Sequence, residues 1–229
     1  MSEKVQRMFS DISGDYDLLN DLLSFGRHRL WKKRFVSKIP MNDGGKHLDV
    51  ATGTGDIARE VVRQSDGKVR VVGVDFSESM IIKAKYCKDC DWTNLEFQVG
   101  DASDLIFDSE YFDSVSISFG IRNIPGLVNA INEMSRVLKP GGILAIMEFG
   151  TPDAPFRWFY NFYSKTFMPF VGKIISGHSD AYTYLPETIK VFPYGANFKR
   201  ILLDTGNFTD VRYEKMELGT VYAYYCVKK

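Results

Sequence analysis

His47-Leu48-Asp49-Val50-Ala51-Thr52-Gly53-Thr54-Gly55-Asp56 carries an apolar β-type run into two glycines and then into a helix-favouring segment. Such a run predicts strand, tight turn and helix, with glycines that let a ligand approach the backbone. Val69 to Val74 is a second buried-strand candidate, and Asp75 at its end stands twenty residues after Gly55, where a carboxylate can take two ribose hydroxyls. The turn reads as a nucleotide-type site. Gly53-Thr54-Gly55-Asp56-Ile57-Ala58 also fits the dinucleotide fingerprint, whose logic is a pyrophosphate resting on a helix N-terminus. Here Asp49 and Asp56 flank the turn, and two carboxylates repel a pyrophosphate but suit a cation. The acidic flanks favour S-adenosylmethionine, with its ammonium, its sulfonium and no phosphate, over NAD.

Downstream of residue 47 the chain alternates apolar runs with helical patterns, the signature of βαβ units and a mostly parallel, doubly wound α/β sheet. Strands are predicted over 47–51, 69–74, 95–99, 112–119 and 143–149, with helices over 56–65, from Ser77 as N-cap to about Cys87, and over 126–138. Lys139-Pro140-Gly141-Gly142 is expected to end that last helix. A helix over 197–204 and two strands over 211–216 and 221–227 make a terminal antiparallel hairpin. Polar residue types gather where strands end: Asp49 to Asp56, Asp75, Asp101-Ala102, Ser118 to Asn123, and Glu148. In open α/β sheets that carboxyl edge is where ligands bind.

Two segments lie outside the alternation. Residues 1–40 place Met8, Phe9, Ile12, Tyr16, Leu18, Leu19, Leu22, Leu23, Trp31 and Phe35 at three-to-four spacing, which predicts two amphipathic helices broken near Gly26. That leader reads either as a helical cap on the sheet or as a lid that brings Tyr16, Asp17, Asn20 and His28 over the cofactor, and periodicity alone favours the cap. Residues 151–195 hold twelve aromatic residues in 45 positions, against 14% for the chain, so this insert is a packed helical unit, the wall of an apolar pocket, or both. Trp158-Phe159-Tyr160 is apolar on consecutive positions and calls for more than one partner surface, which an apolar ligand or a membrane can supply.

Composition narrows the classes. At 229 residues, 45% hydrophobic and 25% charged, the chain can bury one sizeable core, and 29 basic against 29 acidic residues offer no global attraction to nucleic acid or acidic lipid. Three cysteines argue against a disulfide framework and for a reducing compartment, and Cys87-Lys88-Asp89-Cys90 has no second pair to hold a metal. With no apolar run of about 18 residues and no secretory leader, the expectation is a cytoplasmic protein, with room for peripheral contact at the inner face of a membrane.

Several stretches together resemble the C-methyltransferases of ubiquinone and menaquinone biosynthesis, which act on polyprenyl benzoquinols or demethylmenaquinol. They are Tyr16-Asp17-Leu18-Leu19-Asn20-Asp21 with Ser24-Phe25-Gly26-Arg27-His28-Arg29-Leu30-Trp31-Lys32; Ile117-Ser118-Phe119-Gly120-Ile121-Arg122-Asn123; Arg136-Val137-Leu138-Lys139-Pro140-Gly141-Gly142; and Ser179-Asp180-Ala181-Tyr182-Thr183-Tyr184-Leu185. The resemblance implies a class I methyltransferase fold with a seven-stranded sheet, S-adenosylmethionine as donor and a prenylated quinol as acceptor. It also implies that residues 1–40 are a lid on a 41–229 methyltransferase domain. Phe192-Pro193-Tyr194-Gly195-Ala196-Asn197 departs from the more polar stretch usual in the family.

The expected cofactor residues are Tyr16, Asp49, Gly53, Thr54, Gly55, Asp75, Asp101, Ala102 and Ser118. Ring methylation needs an electron-rich phenolate, so Arg122 is expected to stabilise that charge and Asn123 to orient a hydroxyl or water. His28 and Asp17 are the candidate base and proton relay. Phe159, Tyr163 and Tyr182 are the candidate substrate contacts; transient contact with a membrane surface is expected, and a homodimer is allowed.

Overall fold

The computed structural model describes residues 21–22, 24–86, 92–163, 166 and 187–229, without the side chains of residues 159 and 161. Seven strands, β1 (Lys46–Val50), β2 (Arg70–Asp75), β3 (Leu95–Val99), β4 (Phe112–Ser118), β5 (Leu138–Phe149), β6 (Phe208–Met216) and β7 (Val221–Lys228), form one sheet in the order β3-β2-β1-β4-β5-β7-β6. β1 to β5 are parallel, β7 runs antiparallel to β5, and β6 antiparallel to β7. This is the class I methyltransferase arrangement, with the terminal hairpin at one edge.

Helices cover both faces. α1 (Arg27–Val36), α2 (Asp56–Gln64) and α3 (Glu78–Lys85) pack on one side, where Phe35, Val36, Ile57, Val61, Val71, Ile81 and Phe97 form a buried cluster. α4 (Leu127–Val137) and α6 (Ala196–Asp204) cover the other, over Leu48, Val50, Val115, Ile117, Ile131, Met134 and Phe198. A further helix, α5 (Phe156–Phe162), opens the aromatic insert. α2 shows why these segments are helical: Ile57, Ala58, Val61 and Val62 repeat on one stripe and are all buried. The end of the leader belongs to the same core, because Phe35 and Val36 are fully buried in it, each worth roughly 2–3 kcal/mol of apolar burial.

One expected boundary moves. α4 ends at Val137 as proline and glycine require, yet the chain passes straight into β5 rather than into a turn before residue 143. Leu138 pairs with Phe112 and the next register pair is Ser114 with Ile143, so Pro140, Gly141 and Gly142 form an irregularity within the ladder. A bulge accommodates proline where a regular ladder position would lose a hydrogen bond.

Central strands buried on both faces are normally apolar throughout. β1 and β4 are not: His47, Asp49, Ser114 and Ser116 are buried at the middle of the sheet and satisfy one another. His47 Nδ1 and Nε2 lie 2.8 Å and 2.9 Å from the hydroxyls of Ser114 and Ser116. Burial holds the His47 pKa down to about 3 from 6.5, so acid protonates it only in the unfolded chain, and its contribution to stability is lost as pH falls from 6.5 toward 3. Asp49, raised by burial from 3.8 to about 6, acts in the opposite sense, its contribution being lost as pH rises through 6. His47→Phe is therefore expected to gain about 2 kcal/mol relative to the parent between about pH 7 and pH 5, read from paired urea titrations at each pH. A difference that does not change with pH would contradict the buried neutral imidazole.

Candidate functional site

After β1 the chain builds outward through β2 and β3, then returns to lay β4 on the other side of β1. That reversal opens a crevice beyond the carboxyl ends of β1 and β4. Two non-glycine residues there adopt left-handed backbone, Ala51 with φ 52° and Phe119 with φ 56°, a strain that persists only where surroundings impose it. Gly120 joins the two loops: a Cβ at that position would stand 2.7 Å from the Cβ of Ala51, so only glycine lets the β4 loop close onto the turn.

The two turn glycines serve different ends. Gly53 has φ 56° and nothing within 4 Å of a hypothetical Cβ, so its backbone is open to a ligand. Gly55 has φ 89° but is covered, with the Phe97 ring 2.6 Å and Arg59 Nη1 2.9 Å from where a Cβ would be. The expected approach of a ligand to the backbone thus applies at Gly53, while Gly55 makes room for Phe97.

Asp49 is 1% exposed and sits beneath the turn. Its Oδ2 accepts from Thr52 Oγ1 at 2.6 Å and its Oδ1 from Ser116 Oγ at 2.7 Å, and it also accepts the backbone N–H of Ala58. Since Gly55 has no side chain to cap α2, Asp49 reaches across from the strand to do so. Asp75 ends β2 as expected, with Oδ2 accepting Gly53 N–H and Oδ1 accepting Ser77 N–H, each at 2.8 Å. Each oxygen keeps a lone pair for another donor. Asp56 departs from expectation: Lys32 Nζ at 2.6 Å and Arg59 Nη2 at 3.2 Å neutralise it, and despite burial its pKa is held down to about 2. The cation-favouring charge of the turn therefore comes from Asp49 and Asp75. Thr54 is buried, and its carbonyl accepts Arg59 Nη2 at 2.5 Å. At the end of β3, Asp101 Oδ1 accepts Ser103 N–H at 2.8 Å, and Ala102 packs against the core.

Beyond β4, Ser118 Oγ and Arg122 Nε are buried polar atoms with no hydrogen-bond partner among the described residues. Arg122 is not a free cation. Its Nη1 lies 2.5 Å from Glu148 Oε1 and 2.7 Å from the Phe119 carbonyl, with both charged side chains buried. Glu148 Oε1 also accepts the Phe149 N–H, and Phe119 stacks on Phe149 at 4.2 Å. Asn123 is buried in a short 3₁₀ turn, Ile121–Asn123. Tyr160 of α5 lies within electrostatic reach of Arg122, which opposes the rise of its pKa, by burial, to about 12. Burial likewise pushes Tyr163 up to about 12, and its ring meets Phe25 at 6.2 Å.

The leader reaches the turn through α1. His28 is 7% exposed; its Nε2 pairs with Asp21 Oδ1 at 2.8 Å, and its Nδ1 has no hydrogen-bond partner among the described residues. Desolvation, with Lys32 nearby, holds the His28 pKa below 6.5, so the ring is neutral. With Asp21 accepting, Nε2 carries the proton and Nδ1 presents a lone pair. Tyr16, Asp17, Asn20, the side chain of Phe159, Tyr182 and the Cys87–Cys90 pair lie outside the described residues. Sequence reasoning missed Lys32, Arg59, Thr52, Ser116 and the Glu148 partnership. The serines at 114, 116 and 118, alternating with apolar residues on a central strand, were the available signal. A separate cavity of about 270 Å³, lined by Lys46, Arg70, Gln98, Asp108 and Tyr111 among others, contains none of these site residues.

Comparison with known proteins gives the family and the fold. Residues 1–228 match the ubiE/COQ5 methyltransferase family. Similar curated proteins include the ubiquinone/menaquinone biosynthesis C-methyltransferases UbiE of Geobacter sulfurreducens, 40% identical over 97% of this chain and 87% of that protein, and of Francisella philomiragia, 39% identical over 96% and 88%. In fold, the chain resembles an S-adenosylmethionine-dependent methyltransferase of Thermotoga maritima, with a TM-score of 0.68 at 17% identity over 97% of this chain and 99% of that one. It also resembles Haemonchus contortus phosphoethanolamine N-methyltransferase 2 in complex with S-adenosylmethionine, with a TM-score of 0.63 at 19% identity over 89% and 52%. The open Gly53 backbone, the Asp75 carboxylate beside it and the Ser118 hydroxyl, which has no hydrogen-bond partner among the described residues, fit such a donor. The chain belongs to the ubiE/COQ5 methyltransferase family and is an S-adenosylmethionine-dependent methyltransferase.

Proposed function

We propose that the chain methylates a ring carbon of a prenylated quinol, the chemistry for which its UbiE relatives are named, in the crevice beyond β1 and β4. The observation that carries this reading is a pair of buried polar atoms at the end of β4, Ser118 Oγ and Arg122 Nε, that have no hydrogen-bond partner among the described residues. A buried donor without an acceptor is costly, and a ligand that supplies the acceptor recovers that cost. When bound, S-adenosylmethionine supplies a methyl group on a positively charged sulfur. Asp75 takes the ribose hydroxyls, Gly53, Thr54 and Gly55 shape the seat, and Asp101, Ala102 and Ser118 line its far side.

A quinol carbon becomes nucleophilic when the neighbouring hydroxyl ionises. Because Glu148 balances the charge of Arg122, the guanidinium acts as a fixed hydrogen-bond donor through Nε rather than as a loose cation. Asn123 orients the second oxygen. His28 accepts the hydroxyl proton at Nδ1, with Asp21 holding its ring. The part of the leader before α1, with Tyr16 and Asp17, forms the lid, and support comes from the Lys32–Asp56 bridge that ties α1 to the turn. The aromatic insert, through Phe159, Tyr163 and Tyr182, receives the prenyl tail; the nearness of Tyr160 to Arg122 supports this.

The tail implies contact with a lipid surface. Among the described residues no helix is long and apolar enough to cross a membrane. Phe25, Leu30, Trp158 and Phe162 nevertheless expose large apolar side chains, and Arg29 beside them is 71% exposed. Shallow insertion of this patch is our reading of how the enzyme meets its substrate.

Four measurements test these roles. Incubation with S-adenosylmethionine and demethylmenaquinol should give menaquinol by mass spectrometry, and no methylated lipid from any prenylated quinol would end the reading. Arg122→Gln should lower kcat by about 10²–10³ while leaving S-adenosylhomocysteine affinity unchanged; wild-type turnover would remove Arg122 from the chemistry. kcat should rise with pH through an ionisation below 6.5 and then level, and His28→Ala should abolish that limb. Trp158→Asp should reduce co-sedimentation with phosphatidylglycerol vesicles, and undiminished binding would move the membrane contact elsewhere.

A further inference from the structure

We propose that His47 and Ser116 are positioning residues for the methyl-donor turn, forming a directed hydrogen-bond chain that holds the Asp49 carboxylate and, through it, Thr52 and the first turn of α2. This rests on the reading of residues 51–56 as the donor's seat.

The direction of the chain follows from proton counting. An ionised Asp49 only accepts, so the single hydroxyl proton of Ser116 points to Asp49 Oδ1 at 2.7 Å. Ser116 must then accept from His47 Nε2–H at 2.9 Å, which leaves Nδ1 to accept the Ser114 hydroxyl at 2.8 Å. Each member fixes the next, from the interior of the sheet outward to the crevice. At the far end Asp49 holds Thr52 Oγ1 at 2.6 Å and the Ala58 N–H, the two points that set the turn against the helix.

Two features separate this chain from ordinary core filler. Apolar residues would satisfy the interior of two central strands at less cost, so four buried polar side chains there need a reason. The row also continues toward the ligand: Ser114, Ser116 and Ser118 share one face of β4, the first two are satisfied within the chain, and the third has a hydroxyl at the crevice with no partner among the described residues.

Charged groups on the elements around Asp49 are Arg70 and Asp75 on β2, Asp113 on β4, and Asp56, Arg59, Glu60 and Arg63 on α2. Asp75 is the one whose charge raises the Asp49 pKa, adding to burial, while the Thr52, Ser116 and Ala58 donors oppose both. Removing the Ser116 hydroxyl therefore leaves Asp49 easier to protonate, and a cationic donor loses its counter-charge at higher pH.

Calorimetric titration of the full chain with S-adenosylhomocysteine across pH tests the inference. Ser116→Ala should weaken binding about tenfold near neutral pH, raise the donor KM with little change in kcat, and move the acidic loss of affinity to higher pH. Ser116→Thr, which keeps the hydroxyl, should recover most of the affinity. A wild-type chain that binds no S-adenosylhomocysteine overturns the seat itself. Wild-type binding with an unshifted pH profile and affinity in Ser116→Ala overturns only the relay. Should Ser116→Ala fail to fold, imidazole ¹⁵N shifts of the wild type decide: between about pH 7 and pH 8, where Asp49 is ionised, His47 must be neutral and protonated at Nε2, and an Nδ1–H or charged ring there overturns the chain.

Discussion

A carboxylate withdrawn from water at the centre of a parallel sheet is the constraint from which much of this structure follows. Asp49 cannot remain ionised there without donors. The fold supplies them from three directions: Ser116 on the neighbouring strand, Thr52 in the turn and Ala58 at the start of α2. Meeting that demand fixes the relative position of β1, β4 and α2, which are the three elements that form the crevice. The donor turn is thereby built into the sheet's interior instead of resting on its edge.

The same logic of pairing operates around the rim. Asp56 is held by Lys32 and Arg59, Arg122 by Glu148, and His28 by Asp21. Lys32 and Asp56 stand 24 positions apart and Arg122 and Glu148 stand 26 apart, so the leader is tied to the glycine turn, and the loop after β4 to the end of β5, through ionic contacts that local patterning does not encode. Arg122 illustrates the difference between identity and availability. Its place in the β4 loop was expected, but the carboxylate that balances it lies 26 residues further on, at the end of another strand.

The element order was legible because parallel βαβ units leave strong marks: apolar runs, capping residues and helical stripes such as that of α2. Asp75 was legible because its role depends on a fixed spacing along the chain from the turn. Two readings needed space rather than sequence. Gly55 looked like a point of ligand approach until the Phe97 ring was found over it, a contact made by a side chain 42 positions away. Pro140-Gly141-Gly142 looked like a terminator, yet tertiary pairing with β4 carries the strand through it as a bulge. The alternating serines of β4 were visible in the sequence, but their meaning depended on His47 and Asp49 standing opposite them.

The neutralised Arg122–Glu148 pair has a kinetic corollary. At the end of β4, where Glu148 matches Arg122, and in a chain with equal numbers of basic and acidic residues, little field is projected into solution. A neutral lipid-like acceptor is then neither drawn in nor repelled at long range, and its capture is governed by apolar fit. Its encounter rate is consequently insensitive to ionic strength, in contrast to enzymes that steer charged substrates.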